Sequence, residues 1–166
     1  RIKDKQPIEI NSLNATEGSK VKTGVEYTAG TYNVGFGAYT PDYSFFMDGG
    51  KYSRCFSKQS GIDAINGAAD YAKSENPDFM IFEEVDRDST RSYHVNQENL
   101  INKKFQGYFQ NFAVNYDSAY LFYPFNEPIG KSYSGISVYS KYEITSGGIP
   151  VNFLKNHKIR ILTFGI

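Results

Sequence analysis

From Val25 to Val34 the chain reads VEYTAGTYNV, a run of β-branched and aromatic residues closed by glycines at 35 and 37. That composition predicts a strand. A loop follows, GAYTPDYSFFMDGGKYS, with Pro41 and the pair Gly49-Gly50 as breakers. Next, SKQSGIDAINGAADYAKSE sets Ile62, Ile65, Ala69 and Ala72 on one face at helical spacing. Gly61 and Gly67 weaken that helix by roughly 1 kcal/mol each relative to alanine. Asn76-Pro77 ends it, because the residue before proline avoids helical dihedrals. The apolar run DFMIFEEV then predicts a second strand.

Strand, helix and strand in this order predict a βαβ unit with parallel strands and a right-handed crossover. Ligands of open α/β sheets gather outside the carboxyl ends of the strands. Asn33 and Glu84 fall there, and neighbouring strands would let them share one site.

Further on, NQENLINKKFQGYF carries Leu100, Ile101, Phe105 and Tyr108 on one helical stripe. Three strand-like runs follow: YFQNFAVNY, AYLFYPF and SGISVYS. The short breaks between the first two suggest antiparallel neighbours. The polar residues 1–24 are expected to be an irregular lead-in, and residues 25–166 to form one domain. The ending, NFLKNHKIRILTFGI, offers one more strand, with His157 expected at the surface.

Composition narrows the field modestly. Hydrophobic residues at 40% and charged residues at 22% suit a globular chain and not a disordered one. Eighteen Lys and Arg balance eighteen Asp and Glu, so no basic field favours non-specific binding to nucleic acid. A single cysteine, Cys55, excludes an intrachain disulfide framework and any multi-cysteine zinc site. No apolar stretch is long enough to span a bilayer.

Two adjacent glutamates, Glu83 and Glu84, end the most apolar strand. Strand alternation would put Phe79, Ile81, Glu83 and Val85 on one face and Met80, Phe82, Glu84 and Asp86 on the other. An unpaired carboxylate in apolar surroundings takes up a proton or destabilises the fold. A divalent cation removes that objection, since Mg²⁺ takes one or two carboxylates and completes its shell with water and substrate phosphate. The plainer alternative is a strand that surfaces here with both glutamates solvated. After it, RDSTRSYHVNQ gathers Arg87, Arg91, Tyr93 and His94, whose guanidinium and phenol groups suit phosphate oxygens. A solvated loop leading into a helix is the competing explanation. NEPIGKSYSG adds Lys131, Ser132 and Ser134, as substrate contacts or as a plain turn. GFGAYT lacks the third glycine of a dinucleotide loop, and Pro41 blocks an immediate helix.

Taken together, TYNVGFGAY, PDFMIFEEVD, RSYH and SGISVYSKYEI resemble the endonuclease/exonuclease/phosphatase superfamily, the deoxyribonuclease I-like phosphoesterases, over roughly residues 27–149. The resemblance implies an α/β fold, half of a four-layer αββα sandwich with a mixed sheet. It implies phosphoester hydrolysis with Mg²⁺, or Mn²⁺ in its place, through a metal-bound, activated water. Asn33 and Glu84 would be the metal-site and catalytic residues, and Arg91, Tyr93, His94 and Ser134 the substrate contacts. The substrate class stays open among nucleic acid, phosphoinositide and phospholipid headgroup, and no protein partner is implied. Similarity to bacterial members suggests a membrane anchor before Arg1 and an extracytoplasmic location.

The chain departs from the family pattern in two places. Glu83 stands where Gln is usual, and neither an Asp-x-Asn nor a Ser-Asp-His motif occurs in the sequence. Both belong to the second half of the family fold, so a C-terminally truncated domain is expected. A catalytically inactive fragment, or a non-catalytic binding remnant, is therefore the alternative to an active enzyme.

Overall fold

The computed structural model describes residues 9–38, 49–145 and 158–164. They form a mixed six-stranded sheet with two helices packed on one face. In chain order the elements are β1 (Ile10–Leu13), β2 (Glu26–Asn33), α1 (Lys58–Ser74), β3 (Phe79–Asp86), α2 (Gln97–Lys104), β4 (Tyr108–Leu121), β5 (Gly130–Ser140) and β6 (Lys158–Phe164). The strands lie in the order β1-β4-β5-β3-β2-β6.

The βαβ unit forms as its pattern predicts. β2 and β3 are parallel neighbours, in register from Ala29 opposite Phe79 to Asn33 opposite Glu83. Between them α1 starts on a capping box, in which the Ser57 hydroxyl accepts from the Ser60 amide at 3.0 Å and the Ser60 hydroxyl accepts from the Ser57 amide at 2.9 Å. Its buried stripe is Gly61, Ile65, Ala69 and Ala72, with Ile62 half-buried. The stripe packs on Met80, Phe82 and Val85 of β3, on Tyr139 of β5 and on Ile101 of α2. Gly61 suits its place because a Cβ there would press on the Cys55 Sγ, at 3.2 Å.

Three expectations are corrected. Residues 1–24 are not irregular throughout: Ile10–Leu13 forms an edge strand antiparallel to β4, and Leu13 packs against the core. So short and polar a segment carries little apolar pattern, and the β4 ladder supplies its order. The helical stripe ends early, with α2 stopping at Lys104 and Gly107, at φ +90°, turning the chain into β4. Phe105 and Tyr108 still reach the core, from the helix end and from the first residue of β4. Finally, YFQNFAVNY and AYLFYPF are not antiparallel neighbours. Tyr108–Leu121 is one strand that pairs along β5, with irregularities near Val114 and Ser118 absorbing the polar break. The tail contributes β6, parallel to β2 at the sheet edge. Pro41 and His157 lie outside the described residues.

Among the described residues, no helix is long and apolar enough to cross a membrane.

Candidate functional site

The end of β3 is bent by a β-bulge. Phe82 pairs with Ser137 and Val85 with Gly135, so Glu83 and Glu84 together stand opposite the single residue Ile136. Phe82 and Val85 both point into the helix-covered core and are fully buried. Strict alternation would have put them on opposite faces. The extra residue corrects the expected split of the glutamates: both turn toward the face that the helices leave open. Glu84 carries the geometric cost, with φ at 57°, a left-handed backbone that a non-glycine side chain rarely adopts.

The two carboxylates differ in company. Glu83 accepts a hydrogen bond from the Thr31 hydroxyl at 2.6 Å, across the β2–β3 pair. Glu84 is half-buried, has no hydrogen-bond or ion-pair partner among the described residues, and lines a cleft of about 370 Å³. Phe36, Arg91, Tyr116, Ser132 and Ser134 help to wall it.

Arg91 is the cationic side of this cleft. Its Nε and Nη2 donate to the two carboxylate oxygens of Asp86 at 3.1 and 2.9 Å, a fork-to-fork pair that leaves Nη1 without a protein acceptor among the described residues. Phe36 covers the guanidinium, whose carbon lies 3.3 Å from the ring centroid. Asp86 is fully buried and also accepts from the Ser89 hydroxyl at 2.7 Å. Gln97 ties the parts together: its Oε1 accepts from the Asp86 amide at 2.9 Å, and its Nε2 donates to the Phe36 carbonyl at 2.6 Å. Phe36 itself sits in a 3-10 turn, Gly35–Gly37, with φ at 55°. There is no room for a side chain at Gly37, where a Cβ would lie 2.9 Å from the Gly61 carbonyl oxygen and φ is +66°.

Of the candidates from the sequence, Glu84, Arg91 and Ser134 meet in the cleft. The Ser132 and Ser134 side chains are almost wholly buried and form no hydrogen bond to the described residues. Asn33 is the register partner of Glu83 on the neighbouring strand and is exposed. Its Oδ1 accepts from the Gly35 amide at 2.9 Å, which keeps one lone pair and the amide N–H₂ for other partners. Asn33, Tyr93 and His94 stand outside the cleft lining. The Tyr93 hydroxyl donates to the Cys55 carbonyl at 3.2 Å. His94 Nδ1 meets Asp88 at 2.6 Å on the surface, where Lys131 holds the other Asp88 oxygen at 2.7 Å. Those two partners hold the Asp88 carboxyl below its ordinary range, Lys131 first and His94 second.

Cys55 lies beside the site, its Sγ 3.7 Å from the Phe36 carbonyl. Burial, followed by the Asp86 charge, pushes its thiol from an ordinary 9.0 to about 11. It is a protonated packing residue at neutral pH and no nucleophile.

Phe36 and Gln97 are the site residues that pattern reading misses. Phe36 looks like filler between glycines, and Gln97 like any polar residue in a first helical turn. The Glu84 bulge gives no signal either, beyond two like charges side by side.

The donor set suits a hard, water-rich cation. It offers one carboxylate with no partner among the described residues, and among those residues no three His, Cys, Asp or Glu side chains converge. The chain matches no family model, no curated protein and no solved structure.

Proposed function

We propose that the cleft is a Mg²⁺-dependent phosphoester hydrolase site on half of a deoxyribonuclease I-like αββα sandwich. The observation that carries this reading is Glu84, a half-buried carboxylate without a partner among the described residues, held in a strained backbone and facing a cleft that also presents Arg91. Strain of this kind costs about 1–3 kcal/mol and persists where the surroundings over-determine it, most often at functional sites.

Charge balance supports a cation. Asp86 already offsets Arg91, so the Glu84 carboxylate weakens the hold of Arg91 on an approaching phosphate unless a cation offsets it. Glu84 would hold Mg²⁺, with Asn33, the register partner of Glu83, as a further oxygen donor, and the ion would draw charge from a phosphoryl oxygen. The Nη1 of Arg91, oriented by the Asp86 fork and covered by Phe36, would donate to a second phosphate oxygen. The Ser132 and Ser134 hydroxyls supply weaker donors on the opposite wall. Activation of the water is assigned to no residue of this chain, because it has neither an Asp-x-Asn nor a Ser-Asp-His motif.

The face of the sheet opposite the helices carries half-buried Ala29, Phe79, Ile81, Ile136 and Val138. A second layer stacked there fits the sandwich reading.

The test is hydrolysis of bis(4-nitrophenyl) phosphate across a Mg²⁺ or Mn²⁺ titration. Metal-dependent turnover that falls at least about a hundredfold in Glu84→Gln supports the proposal, a loss typical of removing one strong electrostatic contact to the transition state. Turnover unchanged in Glu84→Gln defeats it. The second reading, a phosphate-binding remnant without turnover, is favoured by the same missing motifs. It predicts anion binding through Arg91 with no metal-dependent hydrolysis.

A further inference from the structure

The loop joining β4 to β5 carries the most exposed aromatic side chains among the described residues. Phe122 is 71% exposed, Tyr123 61% and Phe125 86%, and Tyr120 and Leu121 precede them at 45% each. From Ser118 to Asn126 the sequence has no charged residue. Soluble proteins seldom spend so many large rings on one protruding tip unless it meets a partner.

The tip is held in shape. The Glu127 amide donates to the Pro124 carbonyl and the Ile129 amide to the Tyr123 carbonyl, both at 3.2 Å. Glu127, the acid nearest the tip, is turned back into the protein, where its carboxylate accepts from the Ser53 amide at 3.1 Å and the Ser53 hydroxyl at 2.8 Å. The segment that fastens it brings two more exposed rings to the hairpin base. Arg54 donates from Nη2 to the Pro128 carbonyl at 3.2 Å, Lys51 is exposed nearby, and Tyr52 and Phe56 pack edge to face at 5.0 Å.

We infer that this hairpin is a membrane-docking finger that seats the protein on a bilayer surface. The distribution of chemistry favours lipid over a protein partner. Uncharged Phe and Tyr rings lead, where the acyl boundary accepts them, and the nearest acid, Glu127, is turned away from the tip. Phenol-bearing rings suit this interface because one end is apolar and the other wet. The hairpin is also continuous with the cleft, which Tyr116 and Leu121 of β4 and Ile129 help to wall. Docking by the tip brings the cleft to headgroup level. Resting on the hydrolase reading above, this names the substrate class as the phosphodiester of a phospholipid headgroup.

The chain contains no tryptophan, so Phe125→Trp introduces a single reporter. With vesicles of phosphatidylcholine and phosphatidylserine, its emission is expected to shift to the blue and to be quenched by brominated acyl chains. The double variant Phe122→Ser/Phe125→Ser should lose about tenfold or more in vesicle affinity by flotation, from the apolar area no longer transferred. Glu84→Gln should bind vesicles like the unaltered chain, and the double serine variant should turn over a water-soluble phosphodiester like the unaltered chain. An unshifted reporter with equal flotation of the serine variant overturns the inference. So does a serine variant whose only change is a smaller oligomer by light scattering, which would make the finger a contact between copies. Loss of soluble-substrate turnover in the unaltered chain refutes the hydrolase reading and leaves the vesicle measurements standing.

Discussion

Arg91 and Asp86 form a two-point ion pair, at 3.1 and 2.9 Å, with the carboxylate fully buried and the guanidinium face covered by Phe36. The pair fixes the cation at the cleft wall, while Glu84, on the same strand as Asp86, is left to face the cavity. One acid neutralises the arginine, and the other is available.

Removing the buried partner should therefore cost more than removing the cleft acid. Asp86→Ala leaves Arg91 without its counter-charge and is expected to lose about 3–5 kcal/mol of stability. Glu84→Gln, at a half-buried site without a partner among the described residues, should stay within about 0.5 kcal/mol of the unaltered chain. Urea unfolding followed by circular dichroism separates the two. Equal losses would mean that Glu84 has a structural role.

The strain at Glu84 gives a prediction with the opposite sign. Glycine accepts φ near +57° without a Cβ penalty, so Glu84→Gly should raise stability by about 1 kcal/mol while removing the carboxylate. A stabilised chain that no longer binds Mn²⁺ is the expected outcome, read from the denaturation midpoint and from metal titration.

Gly130 supports the loop that carries Arg91. It opens β5 at φ +73°, and a Cβ there would fall inside the Thr90 side chain, next to Arg91. Gly107 has a similar backbone, at φ +90°, with open space around it. Gly107→Ala should cost about 1 kcal/mol, from the backbone alone. Gly130→Ala should cost about 3 kcal/mol, because the clash adds to it, and should weaken phosphate binding as Thr90 moves. Similar stabilities for the two variants would contradict the packing account.

The Cys55 thiol should be hard to ionise. Its proton affinity in the fold exceeds that of a free thiol, so this group's contribution to stability is complete below pH 9.0 and is lost as pH rises toward about 11. Stability should fall over that window, and Cys55→Ala should flatten part of the decline. In the folded chain at pH 8, alkylation by iodoacetamide should run at least about tenfold slower than for the unfolded chain.

Much of this arrangement is legible in the sequence because it follows from local pattern. The run DFMIFEEV and the stripe of Ile65, Ala69 and Ala72 yield the βαβ unit directly, and parallel pairing sets Asn33 opposite Glu83. The bulge is not legible. It depends on β5 offering one residue, Ile136, where β3 offers two, and nothing within FEEV reports on a partner fifty residues away. The same holds for Gln97, whose role is set by two backbone groups from distant loops. Ile10–Leu13 pairs with β4 although its own pattern is weak, since ladder hydrogen bonds do not require apolar side chains. Tyr93 and His94 follow Arg91 in sequence but not into the cleft: the Tyr93 hydroxyl is held by the Cys55 carbonyl and the His94 ring by Asp88.

The most direct measurement is Mn²⁺ binding by electron paramagnetic resonance, compared among the unaltered chain, Glu83→Gln and Glu84→Gln. If the unpaired acid at the bulge is the metal ligand, Glu84→Gln weakens binding at least about tenfold, a loss typical of a missing contact to a charged group. Glu83→Gln, whose acid is already engaged by Thr31, stays within about threefold. Equal Mn²⁺ affinity in all three proteins would contradict the account.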